Sequence, residues 1–193
     1  MSKYDVGEDE MHIKGTHIIN VIEFVRRKKG AIGLKMLFDR INQNKIKPRH
    51  FSEKSFLERD WYPYDLYLEF LATADDVTGV GDLSRCYEMG FQTIQHLGHL
   101  SYLARAPNIH AFIKNAMDGW NNVYDFGRIE LVKETDKSII LRYHGFPKSK
   151  AKCEYYKGSL SGMMDLCRLK GTVKKTACNT EGASYCEYVL TWK

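Results

Sequence analysis

The chain has 193 residues, of which 44% are hydrophobic and 27% are charged, and its formal net charge is +5. This length is enough for one domain whose core needs neither disulfides nor metal, so we expect residues 1–193 to form a single domain. No stretch approaches the roughly 18 consecutive apolar residues of a membrane span. The polar, acidic opening MSKYDVGEDEMHIKG is unlike a secretion leader, and we therefore expect a soluble, cytoplasmic protein.

Amphipathic helices are predicted for the first two thirds of the chain, about residues 12–125. Apolar side chains recur there with the period of a helix, and Gly30 interrupts the pattern as a helix stop. Five segments carry this period: 15–30, 31–44, 63–79, 81–106 and 108–127.

The period changes from 3.6 to two in the last third, about residues 126–193. The stretch GRIELVKETDKSIILRYHGF predicts a β-hairpin, residues 154–171 return to a helical pattern, and a second hairpin is predicted around NTEGAS. Hairpins join antiparallel strands. The predicted class is therefore α+β, with an N-terminal helical half followed by β-hairpin, helix and β-hairpin forming an antiparallel sheet.

The positive charges lie in three separate clusters, at residues 26–29, 45–50 and 147–152. Nucleic-acid binding requires basic residues gathered on one face with aromatic residues between them. Solvated helix ends and loops account for these clusters, so we expect no nucleic-acid partner.

Catalytic signatures are missing from the sequence. It contains no Gly-x-Ser-x-Gly, no His-Glu-x-x-His, no phosphate-binding Gly-rich loop and no dinucleotide fingerprint. We therefore expect that the protein is not an enzyme.

Aromatic residues are frequent in the helical part. At helical spacing they form either a core or the wall of an apolar ligand pocket with tyrosine hydroxyls as polar contacts, and the sequence does not separate the two. The candidate ligand-binding residues are Tyr67, Phe91, Phe112, Trp120 and Tyr124.

The element order resembles that of the heme nitric-oxide/oxygen-binding (H-NOX) domains. In that family a histidine on the last long helix before the sheet ligates the iron, and the position that matches it here, in NIHAFIKNAMDGWNNVYDFG, is Trp120. An indole nitrogen offers no lone pair to a metal. The family's Tyr-x-Ser-x-Arg triplet is also missing from RYHGFPKSKAKCEYYKG, so we expect that heme is not the cofactor. His96, His99 and His110 remain as alternative iron ligands.

Residues 153–192 are similar to the vinyl-reductase-like domains of phenol-sensing activators, which themselves resemble the vesicle-tethering TRAPP subunits. That resemblance implies a zinc site in which Cys153, Cys178 and Cys186 are three ligands, whereas the family's fourth ligand, a glutamate, is replaced by Lys175. Glu154, Cys167 and Glu181 are candidate substitutes. The alternative is that Cys178 and Cys186 are small buried core residues.

Together these features predict a non-catalytic sensor or ligand-responsive interaction domain in signalling. Its expected ligand is a small, apolar or lipid-like molecule held between the helical half and the sheet, and its expected partner is a signalling protein or a second copy of the chain. The alternative function is a heme-based sensor of NO or O2. A third interpretation is a structural adaptor that holds a fatty chain, as the resemblance to the tethering subunits implies.

Overall fold

The computed structural model describes residues 10–43, 49–96 and 108–193. Its helices and strands confirm the predicted α+β class, with an N-terminal helical half and a C-terminal antiparallel sheet. Among the described residues, no helix is both long and apolar enough to cross a membrane. In chain order the elements are β1 (His12–Lys14), α1 (Gly15–Asn42), β2 (Trp61–Pro63), α2 (Tyr64–Thr78), α3 (Ser84–Gln95), α4 (Ile109–Asp118), β3 (Arg128–Thr135), β4 (Ser138–His144), α5 (Lys150–Leu166), β5 (Gly171–Ala177) and β6 (Tyr185–Trp192).

The chain forms two compact units, Met1–Cys86 and Tyr87–Lys193. The boundary between them lies within α3, whereas the change from helical to strand periodicity in the sequence lies near residue 125. The first boundary reflects which residues pack together and the second reflects secondary structure, so they need not coincide. A single domain over residues 1–193 stays a prediction.

The first unit is built on α1 and α2. The apolar faces of these helices are buried, with Ile18, Leu37 and Phe70 fully shielded from solvent. As the sequence predicts, α1 is interrupted at Gly30, whose φ of +60° is a conformation that side-chain-bearing residues rarely adopt. The short strands β1 and β2 pair in antiparallel fashion beside these helices.

A buried carboxylate, Asp75, connects α2 to the start of α3. Its side chain accepts hydrogen bonds from the backbone N–H groups of Leu83, Arg85 and Cys86, at 3.0, 2.9 and 3.2 Å. Negative charge is favourable at a helix N-terminus, where backbone N–H groups have no partner within the helix. Asp75 therefore caps α3. In the sequence, Asp75 is visible only as the first of two adjacent acidic residues.

The second unit contains a four-stranded antiparallel sheet with strand order β3-β4-β6-β5. Both hairpins predicted from sequence are present. The central strands β4 and β6 alternate between buried and half-buried residues, and their register places Tyr143 opposite Cys186 and Leu141 opposite Tyr188. Helix α5 packs against this buried face, since the Tyr188 hydroxyl donates to the Cys153 carbonyl at 2.9 Å.

Two glycines allow α3 and α5 to approach closely within the second unit. A Cβ atom on Gly90 would lie 1.9 Å from the Tyr155 carbonyl oxygen, and one on Gly158 would lie 1.9 Å from that of Tyr87. No side chain fits at either position without separating the two backbones. This contact holds α5 in place at the end from which Cys153 projects.

Candidate functional site

The three cysteines proposed from sequence as metal ligands meet at one point in the second unit. Cys153 lies in the first turn of α5, Cys178 follows β5 directly, and Cys186 is the second residue of β6. The turn between the last two is a short helical segment, Asn179–Glu181, which ends at Gly182 with φ of +99°. This left-handed residue returns the chain to β6, so that Cys186 faces Cys178 across the hairpin.

The three sulfur atoms form a compact triangle. The Sγ–Sγ distances are 3.3 Å for Cys153–Cys178, 3.8 Å for Cys153–Cys186 and 3.7 Å for Cys178–Cys186. All three side chains are buried. Sulfur ligands about 2.3 Å from a tetrahedral zinc ion are separated by about 3.8 Å, so the triangle has the size of one face of a thiolate metal site.

Polar groups surround this thiol triangle, Cys153, Cys178 and Cys186. The backbone N–H of Asn179 donates to Cys186 Sγ at 3.4 Å, and the Thr180 hydroxyl lies 2.9 Å from Cys178 Sγ. A hydrogen bond from the Cys153 thiol lowers the pKa of Cys186 to about 6. The pKa of Cys153 is raised by that same hydrogen bond and by burial. One thiolate is therefore already favoured near neutral pH.

Lys175 lies next to this triangle. Burial opposes the charge of the ammonium group, yet interactions with Cys178 and Cys153 raise the pKa of Lys175 above its ordinary value. The ammonium also pairs with the Glu181 carboxylate at 3.6 Å. Among the described residues, the group of potential metal ligands around this point contains only the three cysteines, so Glu154, Cys167 and Glu181 do not complete it.

Sequence reasoning missed a buried lysine beside the thiol triangle. Lys152 is only 2% exposed, and its Nζ donates to the Tyr124 hydroxyl at 3.1 Å. The ammonium also lies 4.3 and 4.4 Å from the ring centres of Tyr155 and Tyr156. Burial lowers the pKa of Lys152 well below its ordinary value. The sequence gives no sign of this, because Lys152 belongs to a basic cluster that is typical of an exposed loop.

Trp120 and Tyr124 are in contact, as part of an aromatic cluster in the second unit. Their rings are stacked with centres 4.2 Å apart, and the Trp120 indole N–H donates to the Phe126 carbonyl at 3.1 Å. Further rings of the cluster belong to Phe126, Tyr143, Phe146 and Tyr156. Trp120 is thus held by its own contacts, and its nitrogen is occupied as a donor.

The other three candidate ligand-binding residues lie elsewhere. Tyr67 is fully buried in the first unit, beside His17 and Tyr64. Phe112 packs against Ile94 in the second unit. Phe91 lines an open groove of about 600 Å³ between α3, α5 and β5. The structure therefore brings two of the five together, and a shared ligand-binding role for all five stays a prediction.

The structure describes two of the three histidines that the sequence offers as iron ligands, His96 and His110. His96 is exposed, with Nδ1 3.0 Å from the Gln92 carbonyl oxygen. His110 is half-buried on α4, and its Nδ1 contacts the Glu134 carboxylate. His99 lies outside the described residues.

Comparison with solved structures gives a consistent likeness. An H-NOX protein from S. oneidensis in the Fe(II)NO ligation state superposes with a TM-score of 0.72 at 12% identity, over 94% of this chain and 99% of that one. An oxygen-binding H-NOX domain related to soluble guanylate cyclases has a TM-score of 0.69 at 13% identity, and the match covers 94% of this chain and 95% of that domain. Unliganded Fe(II) H-NOX from K. algicida has a TM-score of 0.66 at 12% identity, and the match covers 94% of this chain and 97% of that protein.

The fold is H-NOX-like. No protein-family model matches the sequence, and no curated protein matches it either. At 12–14% identity the likeness of these H-NOX structures establishes the fold alone. The resemblance in element order that the sequence suggests is confirmed, whereas nothing in the comparisons bears on the vinyl-reductase-like resemblance.

The H-NOX comparisons also correct two expectations. Sensing of an apolar or lipid-like ligand is contradicted as the main function, because the structures compared above are H-NOX proteins with NO on Fe(II), in an oxygen complex, or with unliganded Fe(II). The expectation that heme is not the cofactor is contradicted by the same proteins. The expectation about heme depended on local residues, Trp120 and the missing Tyr-x-Ser-x-Arg triplet, whereas the likeness to H-NOX structures comes from the arrangement of the whole chain.

Proposed function

We propose that this chain is a heme-dependent sensor of a small gas, NO or O2, that transmits its state to a partner protein or to a second copy of itself. The observation that supports this proposal is the H-NOX-like fold over nearly the whole chain. The expectation that the chain is not an enzyme belongs to the same proposal, since a sensor acts through a shift between conformations.

Trp120, which the sequence resemblance matches to the family's iron ligand, does not fit heme, and it lies beyond the end of α4 (Ile109–Asp118), whereas His110 lies on that helix. Trp120 has no lone pair to offer, and its N–H already donates to the Phe126 carbonyl. No ligation step can be derived from it, so a bound heme would need an imidazole from elsewhere in the chain. Of the two described candidates, His110 has the more suitable chemistry, because metal-bound histidines commonly hold a carboxylate on their second nitrogen, as His110 holds Glu134.

The test is heme reconstitution followed by visible spectroscopy. We expect purified protein mixed with hemin and reduced without oxygen to retain one heme per chain after desalting, with a Soret band that shifts on addition of NO. We expect His110→Ala to abolish the band, with His96→Ala as a matched control that keeps it. His99→Ala tests the histidine that the structure does not describe.

A gain-of-function variant keeps the test decisive. Trp120→His places an imidazole at the position that the sequence resemblance matches to the family's iron ligand. If wild-type protein retains no heme whereas Trp120→His retains it, the fold keeps a heme cavity that the natural chain does not use, and the proposal is overturned. If neither binds heme while both remain folded by circular dichroism, the proposal is overturned as well.

A second proposal concerns the thiol triangle, and the triangle's geometry favours it. We propose that Cys153, Cys178 and Cys186 form a metal centre, since three buried sulfur atoms lie 3.3 to 3.8 Å from one another. Uncharged free thiols in a core have no need to converge in this way, whereas thiolate ligands do. A metal here would fasten the start of α5 to the β5–β6 hairpin.

Elemental analysis of protein purified without chelators tests this metal centre. We expect near-stoichiometric metal in the wild type and its loss in Cys178→Ser. The matched control is Cys167→Ser, because Cys167 is a free cysteine directly after the end of α5 that packs near Phe112 instead. Equal metal content in the two variants would contradict the assignment.

A further inference from the structure

Strand β5 lies at one edge of the four-stranded sheet. Its neighbour β6 pairs with one side of it, and among the described strands no other pairs with the second side. The backbone N–H and C=O groups on the free side of an edge strand form a template on which another extended chain can pair. The sheet can therefore accept one more strand beside β5.

The open groove between α3, α5 and β5, called here the β5 groove, lies on that free side. Gly171, Thr172 and Val173 of β5 line it, whereas no described residue of β6 does. Its volume is about 600 Å³, and Phe91 and Met164 contribute apolar surface to its wall. Every second side chain of a strand points to the same face. Alternate side chains of a strand added beside β5 would therefore enter the groove.

Positive charges predominate around the β5 groove. Lys157 and Lys170 line it, and the exposed Lys174 lies on β5 itself. The one acid in the described lining, Asp165, already accepts a hydrogen bond from the Gln95 side chain at 3.0 Å. Lysine on an edge strand opposes pairing with neutral or basic strands, whereas a carboxylate directly opposite is favourable. This edge therefore selects an acidic strand.

We propose that β5 and its groove bind an extended acidic segment of a partner protein, which adds to the sheet as a further strand. The segment's backbone pairs with β5, its apolar side chains enter the groove, and its carboxylates on the opposite face lie beside Lys174. The other edge strand, β3, is less suited, because it carries Glu130 and Glu134 and its register shifts between Leu131 and Lys133. The inference does not depend on whether the chain binds heme or a metal.

The test uses a fluorescein-labelled peptide as long as β5, in which glutamate and valine alternate. Fluorescence anisotropy measures its binding to the full chain at physiological ionic strength. We expect saturable binding with a dissociation constant below about 100 μM, and about tenfold weaker binding of a matched peptide with lysine in place of glutamate.

Charge reversal on each edge strand locates the peptide. We expect Lys174→Glu to weaken binding of the glutamate peptide about tenfold, because it puts like charges opposite each other. Lys133→Glu is the matched control, since Lys133 is an exposed lysine on the other edge strand, and it should leave the affinity unchanged. Hydrogen exchange should show slower exchange over β5 on peptide binding and no change over β3.

N-methylated peptides separate strand addition from attraction between charges alone. In an added strand, alternate N–H groups point toward the sheet edge and the others point away. N-methylation of one alternating set of residues should abolish binding, whereas N-methylation of the other set should preserve it. Attraction between charges alone responds equally to both sets.

Four outcomes overturn the inference. They are equal binding of the glutamate and lysine peptides, no saturable binding of the glutamate peptide up to about 1 mM, equal effects of the two N-methylated sets, and slower exchange over β3 in place of β5. Self-association of the chain that Lys174→Glu abolishes also overturns it, because the edge then binds a second copy. None of these results affects the proposed heme function, which the Soret band decides.

Discussion

Glu187 shows how one side chain in the sheet couples stability to pH. Its carboxylate accepts hydrogen bonds from the Thr176 hydroxyl at 2.7 Å and from Arg142 Nε at 2.8 Å. These interactions, the Thr176 hydrogen bond first, lower the pKa of Glu187 below its ordinary value. Glu187 therefore links three strands, because its partners lie on β5 and β4.

The pH dependence of Glu187→Gln follows from the direction of that shift. A carboxyl group with a lowered pKa in the folded state stabilises the protein above its unfolded pKa of about 4.3, and the stabilisation is lost as the pH falls through the folded pKa. We expect the variant to lose about 1 kcal/mol or less at pH 7. Urea unfolding at several pH values should show the gap closing below about pH 4. A gap that stays constant with pH would contradict this account.

Asp75 and its neighbour Asp76 form a matched pair for testing the cap of α3. Asp75→Ala leaves three backbone N–H groups without their acceptor in a buried place, and we expect a loss of about 3 kcal/mol in the free energy of unfolding. Asp76 is exposed and lies 3.8 Å from Arg40, so Asp76→Ala should change stability by about 0.5 kcal/mol or less. Urea denaturation measures both. Equal losses would show that Asp75 does not act as a cap.

At the scale of elements, the contact between α3 and α5 depends on two glycines. Gly90→Ala or Gly158→Ala puts a methyl group into a backbone carbonyl that cannot yield, and we expect each to cost about 3 kcal/mol or more. Ser161→Ala, on the half-buried face of α5, is the control and should cost about 0.5 kcal/mol or less. Thermal unfolding followed by circular dichroism compares the three. A mild effect at both glycines would mean that the helices are farther apart than described.

At the scale of the whole molecule, the proposed metal centre belongs to the second of the two compact units. Trp61 belongs to the first unit, whereas Trp120 and Trp192 belong to the second, which contains all three cysteines. An ion that binds only the folded state stabilises it by about 2.7 kcal/mol when present at 100 times its dissociation constant. The fluorescence of the two sets of tryptophans can therefore report on the units separately.

We expect added Zn²⁺ to raise the unfolding midpoint reported by Trp120 and Trp192 in a Trp61→Phe variant. The reporter of the first unit is Trp61 alone, in a variant that lacks the other two tryptophans. A rise at both reporters would show that the units unfold together, and a rise at the second unit alone would show that they unfold apart. No rise at either would contradict metal binding.

The sequence by itself determined the main helices and the four strands of the C-terminal sheet, whereas the short strands β1 and β2 were not predicted. The helix stop at Gly30 and both hairpins were predicted, because glycine conformation and the change from a 3.6-residue to a two-residue period are local properties of the chain. The three cysteines were selected from spacing together with a family resemblance. Apart from Cys153, which lies 25 residues before Cys178, these features depend on residues that are close in sequence.

Only the tertiary structure decided which distant residues meet. The convergence of Cys153 with the β5–β6 hairpin, the burial of Lys152 and the capping of α3 by Asp75 each depend on how separate elements pack. The expectation about heme failed for the same reason. A resemblance in overall fold arises from the packing of the whole chain, and a single position such as Trp120 carries very little of that information.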